Sequence, residues 1–498
     1  MKAIMVVGTT SHAGKSLITT ALCRLLNRQG WRVTPFKGQN MALNAYVTAT
    51  GGEIGFAQAV QAWAANLTPT VEMNPVLLKP QGDMTSQVIM KGQLVGLTKA
   101  ADYYENYFET GWQLVQDCLQ TLGKQFDLII CEGAGSPAEI NLKHRDLTNM
   151  KVAKYLQAPT ILVVDIDRGG AFAHVVGTLA LLEPEERALV KGILINKFRG
   201  QKSLLDSGIK WLEDYTKIPV LGVLPWIDNS SFPAEDSLDL MERRTSKNNF
   251  ETTIAVIRLP RISNFTDFDP LESEPSVQVK YVKLNESLGY PDAVIIPGSK
   301  TTISDLLALE KSGMAKQIRE YVIGGGTVIG ICGGFQMLGE YISDSDGLEG
   351  ERGEYSALNL LPLQTTISRD KIARQRTVTS KYPLNGLPVI GYEIHQGRTK
   401  FVKLKNSEDE QNYRYLFHDP ALGIVNSNRS VWGCYLHGLF DNGAWRRNWL
   451  NILRQRRGLS SLPTGVPNYR EQREFLFNFL ADFIEEYIDL QPILKSWT

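Results

Sequence analysis

The stretch "KAIMVVGTTSHAGKSLITTALCRLL", Lys2 to Leu26, decides how the first half of the chain is read. An apolar run ends at Gly8, a small polar turn follows, and apolar residues then recur at helical spacing from Leu17. Strand, glycine turn and helix in that order make a cradle for phosphate, because N–H groups of the turn and of the helix start converge on one anion. Lys15 adds a point charge, and the Ser16 hydroxyl is of the type that ligates Mg²⁺. Five residues, not four, separate Gly8 from Gly14, so Thr9 stands where the usual loop has its first glycine. Gly14-Lys15-Ser16 keeps the second half of the pattern. Thr10, Gly14, Lys15 and Ser16 are the candidate ATP contacts. A helix start with an incidental lysine is the bland alternative.

Working outward, "DLIICEGAG", "TILVVDID", "GILINKF" and "IPVLGVLPW" are short apolar runs separated by helix-period segments. That alternation predicts right-handed strand-helix-strand units and a doubly wound α/β domain over residues 1–228. Ligands in such sheets gather at the carboxyl ends of strands. Glu132, at one such end, is the first candidate for a Mg²⁺ ligand with Ser16; Asp165 and Asp167 end another strand. An acid there can equally cap the next helix. The polar, weakly periodic stretch 229–250 reads as a linker.

A second alternating series fills 251–445, from "ETTIAVIRLP" through "DAVIIPGSKTT" and "GGTVIGICGG" to "SVWGCYLHGLFD". It predicts a second doubly wound domain with more antiparallel content towards its end. Gly330-Ile331-Cys332-Gly333-Gly334 has the form of a strained strand-to-helix elbow that exposes a nucleophile. The helix start favours a thiolate at Cys332, and the Gly333 N–H is placed for an oxyanion hole. The glycine turn at Gly298 is the candidate for a second donor. Cysteine as a nucleophile needs a base. Of six histidines, His437 in "CYLHGLF" is the first candidate and His395 in "GYEIHQG" the competitor. A buried, inert Cys332 is the bland alternative. Residues 446–498 form a helical extension, in which Leu476, Phe479, Leu480, Phe483 and Tyr487 lie at the spacing of an amphipathic docking helix.

Hydrophobic residues make up 43% and charged residues 21%, the balance of a soluble globular chain. Lys plus Arg equals Asp plus Glu at 53 each, so bulk charge points to neither a nucleic-acid nor a membrane-surface partner. Five scattered cysteines without metal-ligand spacing read as reduced thiols. The first apolar run is too short for a signal peptide, and no run of about 18 apolar residues occurs, so a cytoplasmic location is expected.

Taken together, these features resemble the cobyric acid synthases, glutamine-dependent amidotransferases of cobalamin biosynthesis. "KGQNMALNAYVT", "KPQGDMTSQVIMKG", "INLKHRDLTNM" and "DIDRGGAFAHVVGTL" look like that family's signatures, on a first half similar to dethiobiotin-synthetase-type ATPases. "PGSKTT", "GICGGFQMLG", "GYEIHQG" and "CYLHGLFD" follow the order of a class I glutaminase. The resemblance implies glutamine hydrolysis at Cys332 with His437, and ATP·Mg²⁺-dependent amidation of four carboxylates (b, d, e and g) of adenosylcobyrinic acid a,c-diamide. It implies small-molecule partners only: corrinoid, glutamine and ATP. Asp146, in "HRDLTNM", is a candidate substrate or phosphate contact, with helix capping as its alternative. One departure stands out. Most class I glutaminases carry a glutamate two residues after the histidine, but Leu439 is there and Asp441 is the nearest following acid. The group orienting His437 is left open, a backbone carbonyl or water being among the candidates. Cobyrinic acid a,c-diamide synthase shares the architecture, and a P-loop switch ATPase is the rival from another class.

Overall fold

Six runs of the first half pair side by side as parallel strands. They are β1 (Lys2–Gly8), β2 (Val33–Phe36), β3 (Leu128–Glu132), β4 (Thr160–Asp165), β5 (Val190–Phe198) and β6 (Val220–Pro225), in the order β6-β5-β4-β1-β3-β2. β3 and β4 are buried along their whole length, which is why they read as unbroken apolar runs rather than alternating ones. The order reverses beside β1, so the loops after β1, β3 and β4 open into one crevice. Helix α1 (Lys15–Arg28) follows the β1 turn, and α2 (Phe56–Ala64) packs against it. The structure is a computed structural model that describes residues 1–82, 84–227, 250–402 and 412–495. The linker expected over 229–250 lies outside the described residues except Phe250.

The second half builds a seven-stranded sheet from β7 (Thr252–Arg258), β8 (Val277–Lys283), β9 (Ala293–Ile296), β10 (Val328–Ile331), β11 (Tyr413–Tyr415), β12 (Gly423–Asn426) and β13 (Val431–Cys434). Its order is β8-β7-β9-β10-β13-β12-β11; the first five strands are parallel and the last two antiparallel. Each sheet therefore belongs to its own α/β domain, and a long hairpin, Leu363–Thr379 with Pro388–Phe401, reaches from the second towards the first. A small core joins the two, with Ala45, Val47, Leu77 and Ile89 on one side and Tyr392 and Ile394 on the other.

The stretch 446–498 divides between the domains. Helix α3 (Gly333–Met337) caps β10, and α4 (Gly443–Arg456) buries Trp445 and Trp449 in the core of the second domain. Helix α5 (Tyr469–Tyr487) crosses back and covers α1 with Phe477, Leu480, Ala481 and Ile484. The buried face is rotated from the expected stripe, because Phe479 is half exposed and Phe477 takes the core position. Among the described residues, no helix is long and apolar enough to cross a membrane.

Candidate active sites

The β1 turn closes on itself. Gly14 adopts φ 101°, and a Cβ there would sit 2.1 Å from Asn196 Nδ2, so only glycine fits. Asn196 uses that closeness to donate to the Ala13 carbonyl at 2.9 Å. Lys15 Nζ donates to the carbonyls of Thr10 (3.1 Å) and Gly135 (3.0 Å), which puts its charge at the mouth of the loop. Ser16 Oγ donates to Glu132 Oε1 at 3.0 Å, so the turn after β1 and the end of β3 meet.

Glu132 is fully buried and accepts two further partners that the sequence reading had not singled out. Lys37 Nζ, at the end of β2, lies 2.7 Å from Oε1, and Gln61 of α2 donates to Oε2. A buried carboxylate with a hydroxyl beside it at a helix start is an oxygen donor set of the kind that Mg²⁺ shares with phosphate and water. Ser16 and Glu132 fit that ion. The other acids are engaged elsewhere. Asp165 pairs with Lys197 at 2.9 Å and caps its own turn through the Asp167 N–H; Asp167 pairs with Arg199 at 3.2 Å. Asp146 accepts the N–H groups of Thr148 (2.9 Å), Asn149 (2.7 Å) and Lys151 (3.2 Å), an Asx-type turn that leads into the helix Met150–Leu156. Its carboxylate is held by backbone.

The second site forms where β10 meets α3. Cys332 has φ 51° and ψ −106°, a conformation non-glycine residues rarely adopt. The elbow packs tightly on the end of β9: a Cβ on Gly334 would lie 1.9 Å from the Ile296 carbonyl oxygen. Gly298 pairs with Ser263 in a two-stranded ladder, and the nitrogen of its neighbour Ser299 lies 2.9 Å from where a Cβ on Gly333 would sit. The turn after β9 and the start of α3 thus present their backbone to one another beside the thiol. Cys332 Sγ donates to the Ile394 carbonyl at 3.6 Å.

His437 is brought to Cys332 by the parallel pairing of β10 and β13. The loop carrying it is pinned to Tyr392 by two backbone hydrogen bonds. Its Nδ1 faces Asp267 Oδ2 at 2.7 Å, and Asp267 Oδ1 accepts the Gly438 N–H at 2.9 Å. Asp267 is the orienting group that the sequence reading lacked. It sits in the helical turn Phe265–Phe268 after Asn264, which is left-handed at φ 51°. The first domain holds this turn from behind: Asn44 accepts the Phe265 N–H at 3.0 Å, and Tyr392 Oη meets the Ala45 carbonyl at 3.1 Å. Burial alone would lower the His437 pKa, but the Asp267 carboxylate and the Cys332 thiol outweigh it and raise it to about 10.

His395 lines the same pocket but has both ring nitrogens engaged, Nδ1 with the Gly397 carbonyl (2.8 Å) and Nε2 with Glu393 (3.2 Å). Its ring stacks on Tyr435 at 3.7 Å. It has no free nitrogen to serve as a base. Gln336, one turn after Cys332, keeps its amide oxygen buried and unpartnered in that pocket, a further residue the sequence reading passed over.

Comparison with known proteins agrees with both halves. Residues 4–239 match the CobQ/CobB/MinD/ParA nucleotide binding domain, and residues 253–445 match the CobB/CobQ-like glutamine amidotransferase domain. The chain is 67% identical over 496 residues to the cobyric acid synthase of Crocosphaera subtropica, with all of both chains covered. It is 68% identical over 494 residues to that of Trichodesmium erythraeum (99% of this chain, all of the relative), and 68% identical over 497 residues to that of Nostoc punctiforme, with the same coverage. A nucleotide-binding domain joined to a glutamine amidotransferase domain makes the molecule a glutamine-dependent ligase. The chain belongs to the cobyric acid synthase family.

Proposed function

We propose that the chain amidates the b, d, e and g carboxylates of adenosylcobyrinic acid a,c-diamide, drawing ammonia from glutamine at Cys332 and energy from ATP. The observation that carries the glutaminase half is His437 set between Cys332 and Asp267, with its Nδ1 fixed at 2.7 Å. In this reading the Cys332 thiolate attacks the side-chain amide, and backbone N–H groups at Gly333 and the Gly298–Ser299 turn stabilise the oxyanion. His437 gives its proton to the departing ammonia and then takes one from the water that cleaves the glutamyl thioester. Asp267 keeps the ring in place throughout.

In the first domain, the loop Gly8–Ser16 and Lys15 position the phosphates of ATP. Mg²⁺, held by Ser16 and Glu132, would neutralise charge on those phosphates as the γ-phosphoryl group transfers. A free carboxylate is a poor acyl donor; phosphorylated, it has a leaving group that ammonia displaces. Lys37, paired with Glu132 at 2.7 Å, adds a second positive charge beside the carboxylate that would hold the metal.

Product mass after incubation with each corrinoid tests the substrate assignment. Four amidations of the a,c-diamide are expected; amidation of cobyrinic acid itself would assign the chain to the diamide synthases. Cys332→Ser tests the glutaminase half: glutamine-dependent amidation falls by at least about 10³-fold while ammonia-dependent amidation continues.

A further inference from the structure

The cavity in front of Cys332, about 50 Å³, has charged walls that the chemistry of an amide does not call for. Lys79, Lys300 and Lys371 line it together with Glu349. Lys79 comes from the first domain. Behind it Glu53, also of the first domain and 2% exposed, pairs with Lys79 at 2.7 Å and with Lys371. One carboxylate thus serves two ammonium groups across the domain boundary. Lys300 and Glu349 are left over. Among the described residues, no hydrogen bond or ion pair engages the Lys300 side chain, and Glu349 accepts only backbone N–H groups, including Ile303 at 3.1 Å.

Lys300 and Glu349 feel each other's charge without closing to a direct ion pair, and half-buried charges so loosely matched are costly unless a ligand completes them. Burial and the neighbouring Lys371 and Lys79 hold Lys300 down to about 7, and burial pushes Glu349 up to about 7, so each is poised to regain its charge against an incoming opposite one. The reacting end of glutamine is neutral and is read by Cys332, Gln336 and the backbone. Its other end carries one negative and one positive group on a single carbon. A cationic wall with one carboxylate beside it complements that end.

We propose that Lys300 binds the α-carboxylate of glutamine and Glu349 its α-ammonium, with the Lys79–Glu53–Lys371 cluster reinforcing the carboxylate side, so that residues of both domains select a free amino acid over a simple amide. The proposal rests on Cys332 being the nucleophile. Two thiol reagents separate the ideas in the full-length protein. 6-Diazo-5-oxo-L-norleucine carries both α groups; iodoacetamide carries neither. In Lys300→Met and in Glu349→Gln, the rate of inactivation by the norleucine reagent should fall about tenfold or more, while iodoacetamide labels Cys332 within about twofold of the wild-type rate. The KM for glutamine should rise more than kcat falls, and Lys300→Arg should recover part of the loss. An unchanged norleucine rate in both variants, or an equal slowing by both reagents, would overturn the assignment. Wild-type protein labelled by neither reagent at Cys332 would remove the nucleophile reading itself, and this proposal with it.

Discussion

A histidine whose Nδ1 meets a buried carboxylate at 2.7 Å is fixed in tautomer and in rotation, and that is what a base serving a thiol requires. Asp267→Asn should keep the turn, through the Gly438 contact, yet lose the charge. Glutaminase kcat/KM is then expected to fall roughly 10²- to 10⁴-fold. The sign of the pH effect follows from the raised His437 pKa. The imidazolium persists up to about 10 in the native protein; without the carboxylate it deprotonates at lower pH, so the alkaline limb of the rate profile moves towards neutrality. A pH–rate series on both proteins checks this, and an unmoved limb would mean that Asp267 only packs. Cys332 and His437 were legible because glycines flank one and an apolar strand precedes the other. Asp267 was not, since "NFTDFDP" offers no periodic or spacing signal and only folding brings it to a ring 170 residues away. The acid expected near the histidine is supplied from a different segment.

Among the elements, the strands were the easiest to anticipate, because a strand buried on both faces must be apolar throughout. Helix α5 was harder. Its amphipathic stripe announced that it docks, but no local pattern names the surface, and aromatic residues on several faces blurred which side is buried. It starts against the second domain, where Arg473 meets Asp441 at 2.8 Å and lies 4.4 Å over the Trp63 ring of α2. It ends over α1, where Ile484 is fully buried. Ile484→Ala should cost about 2–5 kcal/mol of first-domain stability, read by urea unfolding with nucleotide binding as the local probe. A loss below 0.5 kcal/mol, the range of surface substitutions, would show that the helix end is only loosely seated.

At the scale of the whole molecule, the two sites are joined by a boundary that is part apolar, around Tyr392 and Ile394, and part ionic, around Glu53. Burial would raise the Glu53 pKa, but Lys371 and Lys79 overcome it and hold it near 2, against an ordinary 4.5. Because the folded value is depressed, its contribution is complete above 4.5 and disappears as pH falls towards 2. Glu53→Gln leaves two ammonium groups facing each other and should cost roughly 3–5 kcal/mol at neutral pH. Thermal unfolding across pH 2–7 checks both statements: the variant should lose part of the wild-type slope between 4.5 and 2. The boundary was beyond sequence reading, since Glu53, Lys79 and Lys371 look like ordinary surface charges until the hairpin folds over. The return of α5 to the first domain has a consequence during synthesis. At roughly 5–20 residues per second, α1 emerges some 20–90 s before the helix that finally covers it. For that interval Ile18, Leu22 and Leu25 lack one wall of their core. Until α5 is made, that face of the nascent first domain stays open to solvent.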